Sequence, residues 1–165
     1  MRLGRLLRHL VIPDWYAQRA FSRATLRRTE QAIAASEQRH CGELRLVVEA
    51  SLPLAALLRD QSPRLRAIGL FGELGVWDTE HNCGVLIYLQ LLDRRVEIVA
   101  DRGIHRRVGD AFWNAVCGRL QASFRDGQYE SGVLRALDEI TAVLAEHFPA
   151  TADNPDELPN TPLIL

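Results

Sequence analysis

The chain has 165 residues and a formal net charge of −1, with 47% hydrophobic and 25% charged residues. These values are typical of one soluble globular domain and give no general reason to bind nucleic acid. Every basic side chain is an arginine, which excludes a lysine Schiff base and the lysine of a phosphate-binding loop.

The first 28 residues form a basic N-terminal arm. Leucines such as Leu3 and Leu7 fall on one side of a helix and arginines such as Arg5 on the other, which is typical of an amphipathic helix. Two interpretations are open. The arm lies on a membrane or a partner protein, or it docks on its own domain.

Periodicity predicts the next three elements. Apolar residues at helical spacing predict a helix over 14–39, and alternation of apolar and charged residues predicts a strand over 43–50. Ser62 and Pro63 match the N-cap and the first position of a helix over 62–74. A strand, a helix and a further strand in this order predict a parallel crossover.

The second half begins with a hairpin. An apolar run over 84–92 predicts a strand buried on both faces, and Asp93 and Arg94 turn the chain into an antiparallel strand. Apolar residues four apart then predict helices over 110–124 and 130–148. The order α-β-α-β-β-α-α predicts an α/β fold, a three-layer α/β/α sandwich with a small mixed sheet. The tail, 150–165, is rich in Pro and Asp and is expected to be flexible.

Cellular location is inferred from what the sequence lacks. Cys41, Cys83 and Cys117 are far apart and form no metal-binding motif, so free thiols in a reducing cytosol are expected. No stretch approaches the roughly 20 apolar residues of a membrane span, and the N-terminus does not match a signal peptide. We therefore expect a cytoplasmic protein that is either free in the cytosol or bound at the surface of the inner membrane.

Polar residues cluster at both ends of the predicted hairpin, between residues 77 and 110. Folding the hairpin would gather oxygen and imidazole groups at one edge of the sheet, from Asp78, Glu80, Asn82, Asp101, His105 and Asp110. Carboxylate and amide oxygens are calcium ligands, whereas histidine favours a transition metal. Each residue also has a purely structural interpretation, because aspartate caps helices and asparagine accepts left-handed turns.

Four segments in order, CGELRLVVEA, WDTEHNCGVLIYL, DRRVEIVADRGIHRRVGDAFW and FRDGQYESGV, resemble the TPM domain family. The resemblance spans residues 29–149 and looks closest to a short bacterial branch without signal peptide or transmembrane helix. It implies an α/β/α sandwich, calcium or another divalent cation at an acidic site and, in one branch, acid phosphatase activity.

The chain departs from the family pattern at two positions. The family's D-N-G before the central strand stands here as Asn82-Cys83-Gly84, and its G-Y-G-L-E after the hairpin stands as Asp101 to His105. Two ligands implied by the resemblance thus lack their charge, while Asp110 matches the family's aspartate at the start of the next helix.

Two functions follow from the resemblance. The first is a non-catalytic binding or scaffold module associated with a membrane protein of the LemA type, or with a membrane surface, through the N-terminal arm. The alternative is a divalent-metal-dependent phosphatase acting on phosphomonoesters. Its metal ligands would be Asp78, Asn82, Asp101 and Asp110. Its phosphate-binding residues would be Arg102, Arg106 and Arg107, and its candidate catalytic residues Asp101, His105 and Asp110.

Overall fold

A four-stranded sheet in the order β3-β2-β1-β4 forms the middle of the molecule. The structure is a computed structural model that describes His9, residues 15–151 and residues 154–165. The strands are β1 (Leu44–Glu49), β2 (Val85–Gln90), β3 (Arg95–Ala100) and β4 (Leu163–Ile164). Strand β1 is parallel to β2 and β4, and β2 is antiparallel to β3, so the predicted mixed sheet and its crossover are confirmed.

Seven helices cover the two faces of the sheet within the described residues. They are α1 (Trp15–Ala20), α2 (Arg23–Glu37), α3 (Leu54–Leu58), α4 (Pro63–Glu73), α5 (Arg102–Val108), α6 (Asp110–Arg125) and α7 (Tyr129–His147). Ser62 caps α4 as predicted, because its Oγ accepts a hydrogen bond from the Leu65 amide at 3.2 Å.

The side chains of each strand divide between two cores. Leu46 and Ile87 join the larger core with α2, α6 and α7, whereas Val47 and Tyr88 join a smaller core with α4. This alternation follows from the two-residue period of a strand. Strand β2 is buried along its whole length, as its uninterrupted apolar sequence predicts. The predicted α/β class with three layers is therefore confirmed.

Two predicted boundaries are corrected. The helix predicted over 14–39 is interrupted at Phe21 and Ser22, where Ser22 starts a new helix by accepting a hydrogen bond from the Thr25 amide. Between the hairpin and the helix predicted over 110–124, where no element was predicted, lies the seven-residue helix α5, whose N-cap is Asp101. Both differences arise because a local capping bond adds a helix start that apolar periodicity does not show.

The C-terminal residues add a strand that the sequence did not predict. Val47 and Val48 pair with β4, and the amide of Leu165 donates to the Val48 carbonyl at 2.9 Å. This short strand forms because backbone pairing with an open strand edge does not require a long apolar sequence. The proposed division into arm, domain and tail stays a prediction.

The N-terminal arm touches the domain at His9. This histidine is buried, accepts a hydrogen bond from the Leu52 amide at 3.0 Å and lies 3.2 Å from a carboxylate oxygen of Asp93. The predicted amphipathic face of the arm, including Leu3, Arg5 and Leu7, lies outside the described residues.

Candidate functional site

One edge of the sheet collects the polar residues. Strands β1 and β2 are parallel and begin there, directly after Glu43 and Gly84, and the antiparallel β3 ends there, directly before Asp101. The topology therefore brings the two ends of the hairpin together, as the sequence predicts.

Asp101 is 8% exposed and caps helix α5. Its Oδ1 accepts a hydrogen bond from the Arg102 amide at 2.6 Å. Its Oδ2 is buried and has no hydrogen-bond partner among the described residues. Burying a carboxylate oxygen without a hydrogen-bond partner lowers stability. Helix capping therefore accounts for one of the two Asp101 oxygens and leaves the other unexplained.

Asn82 is held against the start of α5. It adopts a left-handed backbone with φ of 52°, and its backbone oxygen accepts from the Gly103 amide at 2.9 Å. A side chain at Gly103 would place its Cβ 2.4 Å from that same oxygen, so only glycine fits. The Asn82 side-chain Oδ1 accepts from Arg102 Nε at 3.1 Å, which places a guanidinium group on this amide.

His105, in the middle of α5, and Asp110, the first residue of α6, form a second pair. Their closest atoms, Nε2 and Oδ1, are 3.6 Å apart, and the Asp110 side chain is 85% exposed. Both line a cavity of about 270 Å³ together with Arg64 and Cys117. Burial raises the pKa of the Cys117 thiol to about 11, so this sulfur is protonated at neutral pH and is a poor nucleophile.

The remaining predicted residues do not converge on either pair. Arg107 donates from Nη1 to the His147 carbonyl at 2.6 Å and lies over the Phe148 ring, whereas Arg106 is exposed. Asp78 and Glu80 are exposed in the loop between α4 and β2. The three arginines predicted to bind phosphate therefore have separate surroundings.

The sequence pattern of the TPM domain matches residues 17–143. The chain belongs to the TPM domain family. The NMR structure of BA42 protein from the psychrophilic bacterium Bizionia argentinensis has a similar fold, with a TM-score of 0.75 and 28% identity over 88% of this chain and 95% of that one. No curated protein matches the chain.

A second solved TPM-like fold is the N-terminal domain of a protein from P. gingivalis. It has a TM-score of 0.62 and 21% identity, over 92% of this chain and 99% of that one, and at this identity it supports the fold alone. None of the described helices is long and apolar enough to cross a membrane.

The residues predicted to hold the divalent cation of a TPM domain do not bring their ligand atoms together. The unpartnered Oδ2 of Asp101 fits a cation, but the Asn82 oxygen already accepts from a guanidinium. Among the described residues, Asp78, Asp101 and Asp110 do not form a group with ligand atoms within 4.8 Å. Calcium takes six to eight oxygen ligands, so the arrangement does not fit it, and metal binding by these residues stays a prediction.

The structure instead brings together three acids that no sequence pattern groups. They are Glu37 at the end of α2, Glu43 before β1 and Asp156 in the C-terminal segment, and their ligand atoms all lie within 4.8 Å of one another. Asp156 lies beyond the matched TPM region. Because more than a hundred residues separate Asp156 from the other two, no local motif signals this contact.

Proposed function

We propose that this TPM domain is a non-catalytic binding module that docks on a membrane-protein partner, in the cytoplasm at the periphery of the inner membrane. One observation carries the proposal. Four large apolar side chains on two consecutive helices, α3 and α4, are exposed to solvent.

The exposed side chains lie on one face of each helix. Leu54 and Leu58 are four residues apart in α3 and are 52% and 60% exposed, and Leu65 and Ile68 are three apart in α4 and are 59% and 47% exposed. Residues at these spacings are neighbours on a helix surface. Scattered apolar residues are normal on a protein surface, whereas grouped ones mark interaction sites.

The N-terminal arm reaches the domain beside this face. His9 bonds to the amide of Leu52, two residues before α3. His9 and helix α3 are therefore close together in the fold. An amphipathic segment of a membrane protein, for which the resemblance suggests the LemA type, has the chemistry to cover such a side.

The arrangement of the candidate catalytic groups also supports binding rather than turnover. Asp110 is exposed, Asn82 is bonded to Arg102, and the nearby Cys117 has a raised pKa. A hydrolase needs a nucleophile and a base in hydrogen-bond reach of one reacting atom, and these groups are divided between the two ends of α5.

The test compares two sets of nanodiscs of the same lipid, one containing a LemA-type membrane protein of the same organism and one empty. We expect the full chain to bind only the first set. Leu58→Ser combined with Ile68→Ser should weaken binding at least tenfold, because both remove apolar area from the contact. Trp77→Ser is the matched control, since Trp77 is 54% exposed outside α3 and α4. Equal binding to both sets would show that the chain binds the lipid surface and not the membrane protein. Binding to neither set would overturn the proposal.

A divalent-metal-dependent phosphatase acting on phosphomonoesters is the second candidate. The observation in its favour is the unpartnered Asp101 oxygen, close in sequence to the His105–Asp110 pair and its cavity. Asp78 and Asn82 would complete the predicted metal ligands, and Arg102, Arg106 and Arg107 the phosphate-binding residues.

The phosphatase is tested with para-nitrophenyl phosphate and calcium, magnesium or manganese. Turnover by the wild type that Asp110→Ala and Asp101→Asn both abolish would establish the phosphatase and reject the non-catalytic module. Absence of turnover with all three cations would reject the phosphatase.

A further inference from the structure

The acidic group formed by Glu37, Glu43 and Asp156 lines a cavity at the junction of three segments. The cavity has a volume of about 410 Å³ and is closed on one side by the C-terminal segment, which contributes Asn154 and Asn160. The three carboxylates thus face one space, although they come from the end of α2, the start of β1 and the tail.

Two buried oxygens at this cavity have no hydrogen-bond partner in the described part of the chain. One is Oε2 of Glu37, a residue that is 8% exposed, and the other is Oδ1 of Asn160. Native structures rarely leave such atoms unsatisfied, and each one needs an explanation such as an ion. Two at one cavity, beside two further carboxylates, are explained together by one shared cation.

The backbone partners of the acids leave coordination sites free. Glu37 Oε1 accepts from the Leu44 amide at 3.0 Å, and the two oxygens of Glu43 accept from the amides of Glu157 and Leu158 at 3.3 and 3.2 Å. Each carboxylate oxygen has two lone pairs, so these bonds orient the carboxylates and still allow each to bind a cation.

Among the described residues, no protein cation compensates the negative charge of the group. Within residues 15–151 and 154–165, none of the three acids forms an ion pair with an arginine. A bound cation would supply the opposite charge that favours the ionised carboxylates.

We propose that Glu37, Glu43 and Asp156, with the amide oxygen of Asn160, bind a hard divalent cation of the calcium type. All the donors are oxygens, which excludes a preference for soft metals. Calcium accepts irregular geometries with six to eight oxygens, whereas magnesium demands a near-ideal octahedron, and a site assembled from a helix end, a strand start and a tail suits the former. The ion would fasten the C-terminal segment to the domain.

The site is separate from the metal site that the family resemblance suggests. It uses none of Asp78, Asn82, Asp101 or Asp110, and Asp156 and Asn160 lie beyond the matched TPM region.

The test is a calcium titration of the EDTA-stripped full chain, followed by calorimetry and thermal unfolding. We expect saturable binding and a rise of several degrees in Tm at about 100 times Kd. Asp156→Ala should weaken binding at least tenfold and should not impair folding, because Asp156 is exposed. Glu157→Ala is the matched control, since this neighbouring acid lies outside the group, and it should bind calcium as the wild type does.

Asp110→Ala separates the two sites. It should retain the whole calcium response. A wild type that does not bind calcium, a response that Asp156→Ala leaves intact, or a response that only Asp110→Ala removes would each overturn the proposal.

Discussion

Two polar groups lie at the same edge of the sheet and differ in how their charge is balanced. In the first, Asp101 caps a helix and Arg102 bonds to Asn82, so the protein itself occupies most of the polar atoms. In the second, Glu37 and Glu43 are buried with Asp156 beside them and without an arginine partner among the described residues.

The difference shows that the position of acids at a sheet edge does not by itself make a metal site. The first group lies at the position of the family motif, yet the Asn82 oxygen and one Asp101 oxygen already accept from a guanidinium and a backbone amide, which leaves Asp101 Oδ2 as its one buried unpartnered oxygen among the described residues. The second matches no motif but retains uncompensated negative charge. Free ligand atoms and unbalanced charge, rather than motif position, indicate where a cation binds.

The largest predicted effect concerns the unbalanced charge of Glu37. Its pKa is raised to about 8 by burial, above the unfolded value of 4.5. The stabilising contribution of its protonated form is therefore complete below pH 4.5 and is lost as pH rises through 8, by about 5 kcal/mol. In EDTA, Glu37→Gln should lack this loss and be more stable than the wild type at pH 8.

Urea denaturation from pH 4.5 to 8.5 checks this difference. The comparison with the variant is needed because buried His40, whose pKa is lowered to about 4 by burial, changes the stability of both proteins below pH 6.5. A Glu37→Gln variant with the same pH profile as the wild type would mean that the Glu37 charge is already balanced, and the contrast between the two groups would be lost.

A side chain at Gly103 should disrupt the first group. Alanine would place its Cβ 2.4 Å from the Asn82 oxygen and 2.7 Å from the His81 oxygen, both backbone atoms that cannot rotate away. We expect Gly103→Ala to lower the free energy of unfolding by about 3 kcal/mol. Gly118→Ala in α6 is the control, because nothing lies within 4 Å of its Cβ position, and it should stabilise by up to about 1 kcal/mol.

A smaller effect is expected at the cap of α5. Asp101→Ala removes the acceptor of the Arg102 amide and should cost about 1 kcal/mol, whereas Asp101→Asn retains an acceptor and should cost less. Chemical denaturation measures both. A cost of several kcal/mol for Asp101→Asn would show that the carboxylate charge itself is needed, and the first group would then resemble the second.

The smallest effect is expected for Arg102→Ala. Arg102 is exposed and its bond to Asn82 is a surface contact, so stability should change by less than about 1 kcal/mol. In an Asp156→Ala background, this variant should remain without a calcium response in calorimetry, because Asp78 and Asp110 do not group with Asp101. A regained response would show that the arginine alone keeps a cation out.

The sequence predicted those parts of the fold that local patterns encode. The Ser62-Pro63 helix start and the hairpin around Asp93 and Arg94 follow from capping and turn preferences, and the structure confirms them. Helix α5 and strand β4 were missed because seven and two residues are too few for a periodic signal.

The candidate site was predictable only as a location. The hairpin places Asn82 and Asp101 at one edge, but a sequence does not show that the arginine after Asp101 turns back to the asparagine. The sequence also does not show that Asp156 lies beside Glu37 and Glu43, because that contact depends on how the C-terminal segment packs on the domain.

The short strand β4 has a consequence for the behaviour of the protein in concentrated solution. It covers the backbone of β1 at Val47 and Val48, and Ala50 donates to the Leu165 carbonyl. Without the last five residues, β1 would present unpaired amides and carbonyls flanked by valines, which is a template for strand addition by another chain. Strand β4 therefore protects this strand from pairing with another chain, and a change that unpairs β4 is expected to favour aggregation.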